Sequence, residues 1–373
     1  TPVVATRGGA AVTRRASSAP APSPPPAQVT WPARVGAETV GVNAQFLFDI
    51  DPAARGPHFQ AMRAAGVSVV RRDANWNEIE PRAPASGRRT YDWTRYDLWA
   101  AGLAEAGIRW QVTLGYSAVW ASSRPWSDDA QFFPPARIDD FTAYASAVAR
   151  RYGEGGEFWR AHPELPARPV TIFEVWNEQN EDKWWRPRPD PTAYAGLYLA
   201  TRSARGGAVP NAIVVVGGLS TQLTDTRRAM SATGFVTRMY GSRPGLRSVV
   251  PGIGYHSYAG TSDHVGDVLQ NVVKFRAGID GVHPSVPILL NEFGWATAGS
   301  SRSTATVSET DRAEALSLVT DTLARSNCGV TQLLAHTWVG YEDTPYPPLP
   351  ADSAERWYGI YNRDATPKPS GAA

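Results

Sequence analysis

Thr171-Ile172-Phe173-Glu174-Val175-Trp176-Asn177-Glu178 and Pro287-Ile288-Leu289-Leu290-Asn291-Glu292-Phe293-Gly294-Trp295 are two apolar runs that each give out at Asn-Glu. Short apolar runs of this kind read as strands buried on both faces. A carboxylate costs several kcal/mol to bury without a partner, so packing alone does not explain one at the tip of a buried strand. Two such acids, distant in sequence and alike in context, are expected to face each other across a site.

Six further apolar runs lie at 39–46, 67–76, 108–116, 213–219, 253–258 and 330–338. Helical periodicity separates the eight runs, at 57–65, 95–106, 138–152, 191–205, 235–240, 266–279 and 309–325. Strands alternating with helices predict a parallel sheet, and eight such units predict a single-domain α/β protein, a (β/α)8 barrel with enlarged loops. A doubly wound open sheet is the alternative, but no Gly-x-Gly-x-x-Gly follows the first run. Ser308 and Asp311 resemble a capping box opening the last helix. Gly66 and Gly107 stand where a left-handed residue ends a helix.

Residues 1–34 are different in kind. Ala19-Pro20-Ala21-Pro22-Ser23-Pro24-Pro25-Pro26-Ala27 favours extended polyproline II and cannot build a core. It predicts a disordered Pro/Ala/Ser-rich linker ahead of the folded (β/α)8 domain at 35–373. Such a stalk fits an extracellular or cell-surface protein, although no export signal is visible. Arg14-Arg15 is not followed by the apolar segment of a twin-arginine signal.

The 373 residues are 42% hydrophobic, with a net charge of +2 and no basic block, so nucleic acid is not an implied partner. No apolar run approaches the roughly 18 residues that span a bilayer. Cys328 is the only cysteine, which excludes an internal disulfide and a thiolate metal cluster. The other potential ligands show no metal-binding spacing, so neither metal nor cofactor is expected. Nothing in the sequence specifies an oligomeric state.

A barrel of this type carries its site at the C-terminal ends of the strands. Those ends supply Arg71 and Asp73, Tyr116, Asn177 and Glu178, His256 and Tyr258, Glu292, and His336 with Trp338. Two acids with a guanidinium, imidazoles, a phenol, an amide and indoles can hydrogen-bond sugar hydroxyls, stack on a ring and tune two carboxyl groups. Glycoside hydrolysis uses such a pair, one carboxyl protonating the leaving oxygen while the other attacks the anomeric carbon or activates water. Glu292 is expected to be the ionised nucleophile, with Arg71 and Tyr258 as its cation and donor. Glu178 is expected to be the protonated acid, and Asn177 a donor to the sugar 2-hydroxyl. His256, His336 and Trp184 are further candidates for substrate contact. Trp338 is expected to be a sugar platform, and Trp120, Trp126 and Trp185 could line outer subsites. Glu174 is expected to be a charge-paired core residue, and Asp73 to brace Arg71.

Trp176-Asn177-Glu178 and Asn291-Glu292-Phe293-Gly294 resemble the strand-four and strand-seven motifs of clan A glycoside hydrolases. Arg71-Arg72-Asp73-Ala74-Asn75-Trp76-Asn77-Glu78-Ile79-Glu80-Pro81, Tyr91-Asp92-Trp93 and Tyr358-Gly359-Ile360-Tyr361 are similar to family 39 and its cellulase-like relatives. The resemblance runs from about Gly41 to Pro369. It implies hydrolysis of an oligo- or polysaccharide with retention of configuration, Glu178 being the acid/base and Glu292 the nucleophile. It also implies carboxyls roughly 5–5.5 Å apart. Trp184-Trp185-Arg186-Pro187-Arg188-Pro189 departs from the family pattern. A non-catalytic glycan-binding barrel, or a transglycosylase using the same two carboxylates, is the alternative.

Overall fold

The computed structural model describes Pro32 and residues 34–373, apart from 207–208, 210, 261–263, 301–305 and 343–348. Nearly all of the expected 1–34 linker therefore lies outside the described residues.

Eight strands form: β1 (Val40–Asn43), β2 (Val69–Asn75), β3 (Arg109–Gly115), β4 (Ile172–Val175), β5 (Ile213–Leu219), β6 (Ile253–Tyr258), β7 (Ile288–Gly294) and β8 (Val330–Ala335). Each pairs in parallel with the next, and β8 returns to β1 with Leu334 beside Gly41, closing a barrel. Helices Gly56–Ala64, Thr94–Glu105, Ile138–Tyr152, Pro191–Gly206, Ala232–Ser242, His264–Asp280 and Glu309–Arg325 follow the first seven strands. Every expected strand and helix is present, and the open sheet is excluded.

Local chemistry explains the boundaries. Ser308 Oγ accepts from the Asp311 N–H at 3.1 Å and caps the helix Glu309–Arg325. Gly66 (φ +77°) and Gly107 (φ +76°) reverse the chain between helix and strand, a conformation a Cβ disfavours.

Strands alternate between two environments. Val70, Val112 and Phe173 belong to the apolar layer between barrel and helices and are fully buried. Arg71, Gln111 and Glu174 take the intervening positions and face the interior. Arg71 reaches Glu174 from β2 to β4, and Gln332 reaches Gln111 from β8 to β3. Neither pair comes from adjacent strands, so both contacts cross the inside of the barrel.

Three strands, β1, β4 and β8, end three residues before their apolar runs. β4 stops at Val175, where Trp176 (φ +67°) and Glu178 (φ +47°) adopt left-handed backbone. Each such non-glycine residue costs on the order of 1–3 kcal/mol and persists only where surrounding contacts hold it. The Trp176 N–H donates to Leu114 O at 2.9 Å and the Glu178 N–H to Gly218 O at 2.8 Å. β8 stops at Ala335, and the His336 N–H then donates to Phe293 O at 2.8 Å.

Candidate active site

Arg71 is the centre of the polar interior. Its Nε and Nη2 donate to the two oxygens of Glu174, each at 2.8 Å. Nη2 also donates to Asn177 Oδ1 at 2.7 Å. Nη1 donates to Glu292 Oε1 at 2.7 Å and to Asn43 Oδ1 at 3.0 Å. Burial works against this charge, but Glu174 and Glu292 outweigh it and raise the guanidinium well above its ordinary value. Glu174 is likewise opposed by burial and held below the usual carboxylate range by Arg71. Its place is therefore structural, as its position deep in the strand implied.

Glu292 receives a donor on each oxygen, Arg71 on Oε1 and the Tyr258 hydroxyl on Oε2 at 2.7 Å. Burial alone would raise its pKa. His256, His336 and Arg71, with the Tyr258 hydrogen bond, lower it to about 2. Burial, and next the charge of Glu292, raises the Tyr258 phenol well above its ordinary value, so it stays a neutral donor.

His256 is fully buried between the two acids. Its Nδ1 lies 2.8 Å from Glu178 Oε1 and 3.5 Å from Glu292 Oε2. Gly218 makes room for the ring, since a Cβ there would stand 2.0 Å from His256 Nε2. That nitrogen is buried without a hydrogen-bond partner. A carboxylate can only accept, so the proton of the His256–Glu178 contact is carried on Nδ1.

Glu178, His256 and Glu292 each place one potential ligand atom within 4.8 Å of the others. Among the described residues, this is the one cluster with the donors for a cation. Its carboxylates already accept from Arg71, Tyr258 and His256, an arrangement that tunes an acid pair. Asn177 is buried beside it, and its Oδ1 accepts from Arg71, which leaves Nδ2 as the donor end of the amide.

His336 also reaches this centre, its Nδ1 lying 3.9 Å from Glu292 Oε2. Trp338 does not, which corrects the expected platform. The regular strand ends at Ala335, although the Trp338 N–H still donates to Asn43 O at 2.9 Å, and the side chain does not follow the strand alternation. The indole is 1% exposed, stacks on Tyr361 with centroids 3.7 Å apart, and donates Nε1–H to His58 Nδ1 at 3.1 Å. No face remains for a sugar.

Trp184 is partly buried and packed rather than open, stacked on Tyr116 at 5.5 Å with Lys183 Nζ 4.4 Å from its ring centroid. Trp185 is buried against Trp176 and Tyr194, and Trp120 donates to Glu80 O at 2.8 Å. Trp126 is 79% exposed. Asp73 supports the Arg71 charge from a distance without a hydrogen bond to it, and burial raises the Asp73 carboxyl above the usual range.

Sequence reading missed two contributors. Asn43 ends β1, where the rule of reading each strand's last polar residue would have found it. Glu355 lies in the aperiodic segment after β8, and nothing local marks it.

No protein-family model matches this chain, and no curated protein matches it by sequence. Solved structures do match in fold. A family 39 glycoside hydrolase from Bacteroides cellulosilyticus is 20% identical with a TM-score of 0.60, covering 91% of this chain and 62% of its own. A family 39 enzyme from Xanthomonas axonopodis pv. citri is 19% identical with a TM-score of 0.61, covering 92% of this chain and 66% of its own. A monomeric β-xylosidase from Caulobacter crescentus is 18% identical with a TM-score of 0.63, covering 92% and 68%. The chain spans less than two thirds of the first two proteins. It shares with all three the eight-stranded barrel on which its acid pair is mounted.

Proposed function

We propose that this protein is a retaining glycoside hydrolase acting on an oligo- or polysaccharide. The observation that carries the reading is the acid pair itself, one carboxylate oxygen of Glu178 lying within 4.8 Å of one of Glu292. So close an approach is compatible with the roughly 5–5.5 Å between carboxyl groups at which one carboxylate attacks directly. The family 39 likeness of the fold supports the same reading.

In the first step Glu292 attacks the anomeric carbon while Glu178 delivers its proton to the departing glycosidic oxygen. The C–O bond to the leaving group breaks and an ester to Glu292 forms. In the second step Glu178 takes a proton from water, the water oxygen bonds to the anomeric carbon, and the ester breaks. Arg71 and Tyr258 hold Glu292 ionised and aimed, and Asn177 Nδ2 donates to the 2-hydroxyl. Because one neighbour in fold is a β-xylosidase, β-xylosides are the first substrates to test. The Pro-rich residues 1–34 support a location outside the cytoplasm.

The test is sugar release from a panel of aryl glycosides and polysaccharides. Glu292→Gln should abolish turnover with the fold intact. Glu178→Ala should slow substrates with poor leaving groups far more than dinitrophenyl glycosides, which need no proton. Near wild-type rates for both variants on a natural glycan would refute the assignment.

A further inference from the structure

His336 sits between two carboxylates from different parts of the chain. Its Nε2 is 3.1 Å from Oε1 of Glu355, which belongs to the 3-10 turn Ala354–Trp357 beyond β8. Its Nδ1 points the other way, 3.9 Å from Glu292 Oε2, and is buried without a hydrogen-bond partner. The residue is 6% exposed, and Phe46, Tyr258 and Tyr358 wall the ring at 6.1, 6.1 and 5.2 Å in edge-on contacts. It has little freedom to turn.

We propose that Glu355 is a positioning residue: it holds the His336 imidazole doubly protonated, so that Nδ1–H is presented to Glu292 and to the sugar bound beside it. The role toward the sugar rests on the glycosidase reading; the protonation of His336 does not. A carboxylate can only accept, so Glu355 requires the proton on Nε2. When the imidazolium loses one proton, the one lost is therefore at Nδ1. A lone pair then faces the Glu292 carboxylate and the pocket loses a donor.

The groups around the ring favour the charged form on balance. Glu292 on β7 and Glu355 on its turn raise the pKa of His336, while burial and Arg71 on β2 oppose them. Tyr258 on β6 is kept neutral, and Tyr358 borders the same ring. Glu355, whose side chain is 44% exposed, is held below the usual carboxylate range chiefly by His336, with Lys183 adding to it.

The experiment is a pH titration of imidazole 15N shifts in the full chain, which has six histidines, with His336→Gln supplying the assignment. Wild-type His336 should titrate above the ordinary 6.5 or so of a free imidazole. In Glu355→Gln its midpoint should fall by about one pH unit, as expected on losing an adjacent charge, and Glu355→Asp should recover part of it. Unchanged titrations of the other histidines establish that the variant is folded. Coincident His336 titrations in wild type and Glu355→Gln, or a wild-type midpoint at or below 6.5, would overturn the proposal.

The second arm is kcat/KM against pH with 2,4-dinitrophenyl β-xyloside, which removes the demand for proton donation by Glu178. The remaining alkaline limb should move down with the His336 midpoint, and a stationary limb overturns the role toward the sugar. No turnover of any aryl glycoside by wild type would refute the glycosidase reading, while the titration still decides the protonation of His336.

Discussion

Each oxygen of the Glu292 carboxylate takes one bond of 2.7 Å, from the Arg71 guanidinium and from the Tyr258 hydroxyl. A neutral donor and a cation do different work there. Arg71 supplies charge and also serves Glu174, whereas the Tyr258 hydroxyl makes this one bond to the nucleophile. Tyr258→Phe removes a hydrogen bond to a charged group, worth about 1.5–3 kcal/mol, so kcat/KM should fall about 10- to 100-fold. The acidic limb should also move up in pH, because the pKa of Glu292 rises when a donor to its ionised form is lost. Measuring kcat/KM from pH 3 upward checks this, and an unmoved limb would count against Tyr258 as a donor to the nucleophile. The same sign governs stability. A carboxyl lowered from 4.5 to about 2 contributes stability that is complete above its unfolded value and lost as pH falls between the two.

At the scale of elements, the turn after β4 and the glycine opposite it on β5 are matched. Trp176 and Glu178 leave the ladder in left-handed backbone, and the Glu178 N–H is fixed by the Gly218 carbonyl. The absent side chain of Gly218 is what admits the His256 ring, which meets Glu178. Gly218→Ala should therefore displace His256 and misalign Glu178 while leaving the barrel folded. A misplacement near 1 Å is worth about a hundredfold in rate. The loss should be larger for poor leaving groups than for dinitrophenyl glycosides, and a uniform loss across leaving groups would show that Glu178 is not the group displaced.

Over the whole molecule, Arg71 ties β2 to Asn43 on β1, Glu174 on β4, Asn177 beyond β4 and Glu292 on β7. The barrel thus closes around one guanidinium and two carboxylates, which makes the site part of the core. Arg71→Met leaves Glu174 buried without its ion partner and should destabilise the fold by about 3–5 kcal/mol. The thermal midpoint should fall by on the order of 10 °C. Adding Glu174→Gln removes the stranded charge and should recover much of the loss, although activity stays low because Glu292 has lost its cation. Calorimetry of the two variants tests this, and equal instability in both would refute the stranded-charge explanation.

The alternation of apolar runs with helical periodicity determined the barrel from sequence alone, because strands buried on both faces have no solvated side to obscure the pattern. The acid pair was legible for the same reason: Glu178 and Glu292 are costly exceptions at the tips of such strands. Arg71 and Tyr258 followed from strand alternation, which holds while the chain stays in the ladder. Where the chain leaves it, sequence reading loses direction: His336 does reach Glu292 as its place at the strand end implied, but the tertiary structure decided that Trp338 packs on Tyr361. It likewise decided that Glu174, rather than Asp73, makes the hydrogen bonds to Arg71, since that contact crosses the barrel between non-adjacent strands. Glu355 meets His336 from an aperiodic segment, and such a contact is fixed by chain geometry in three dimensions, for which no local pattern exists.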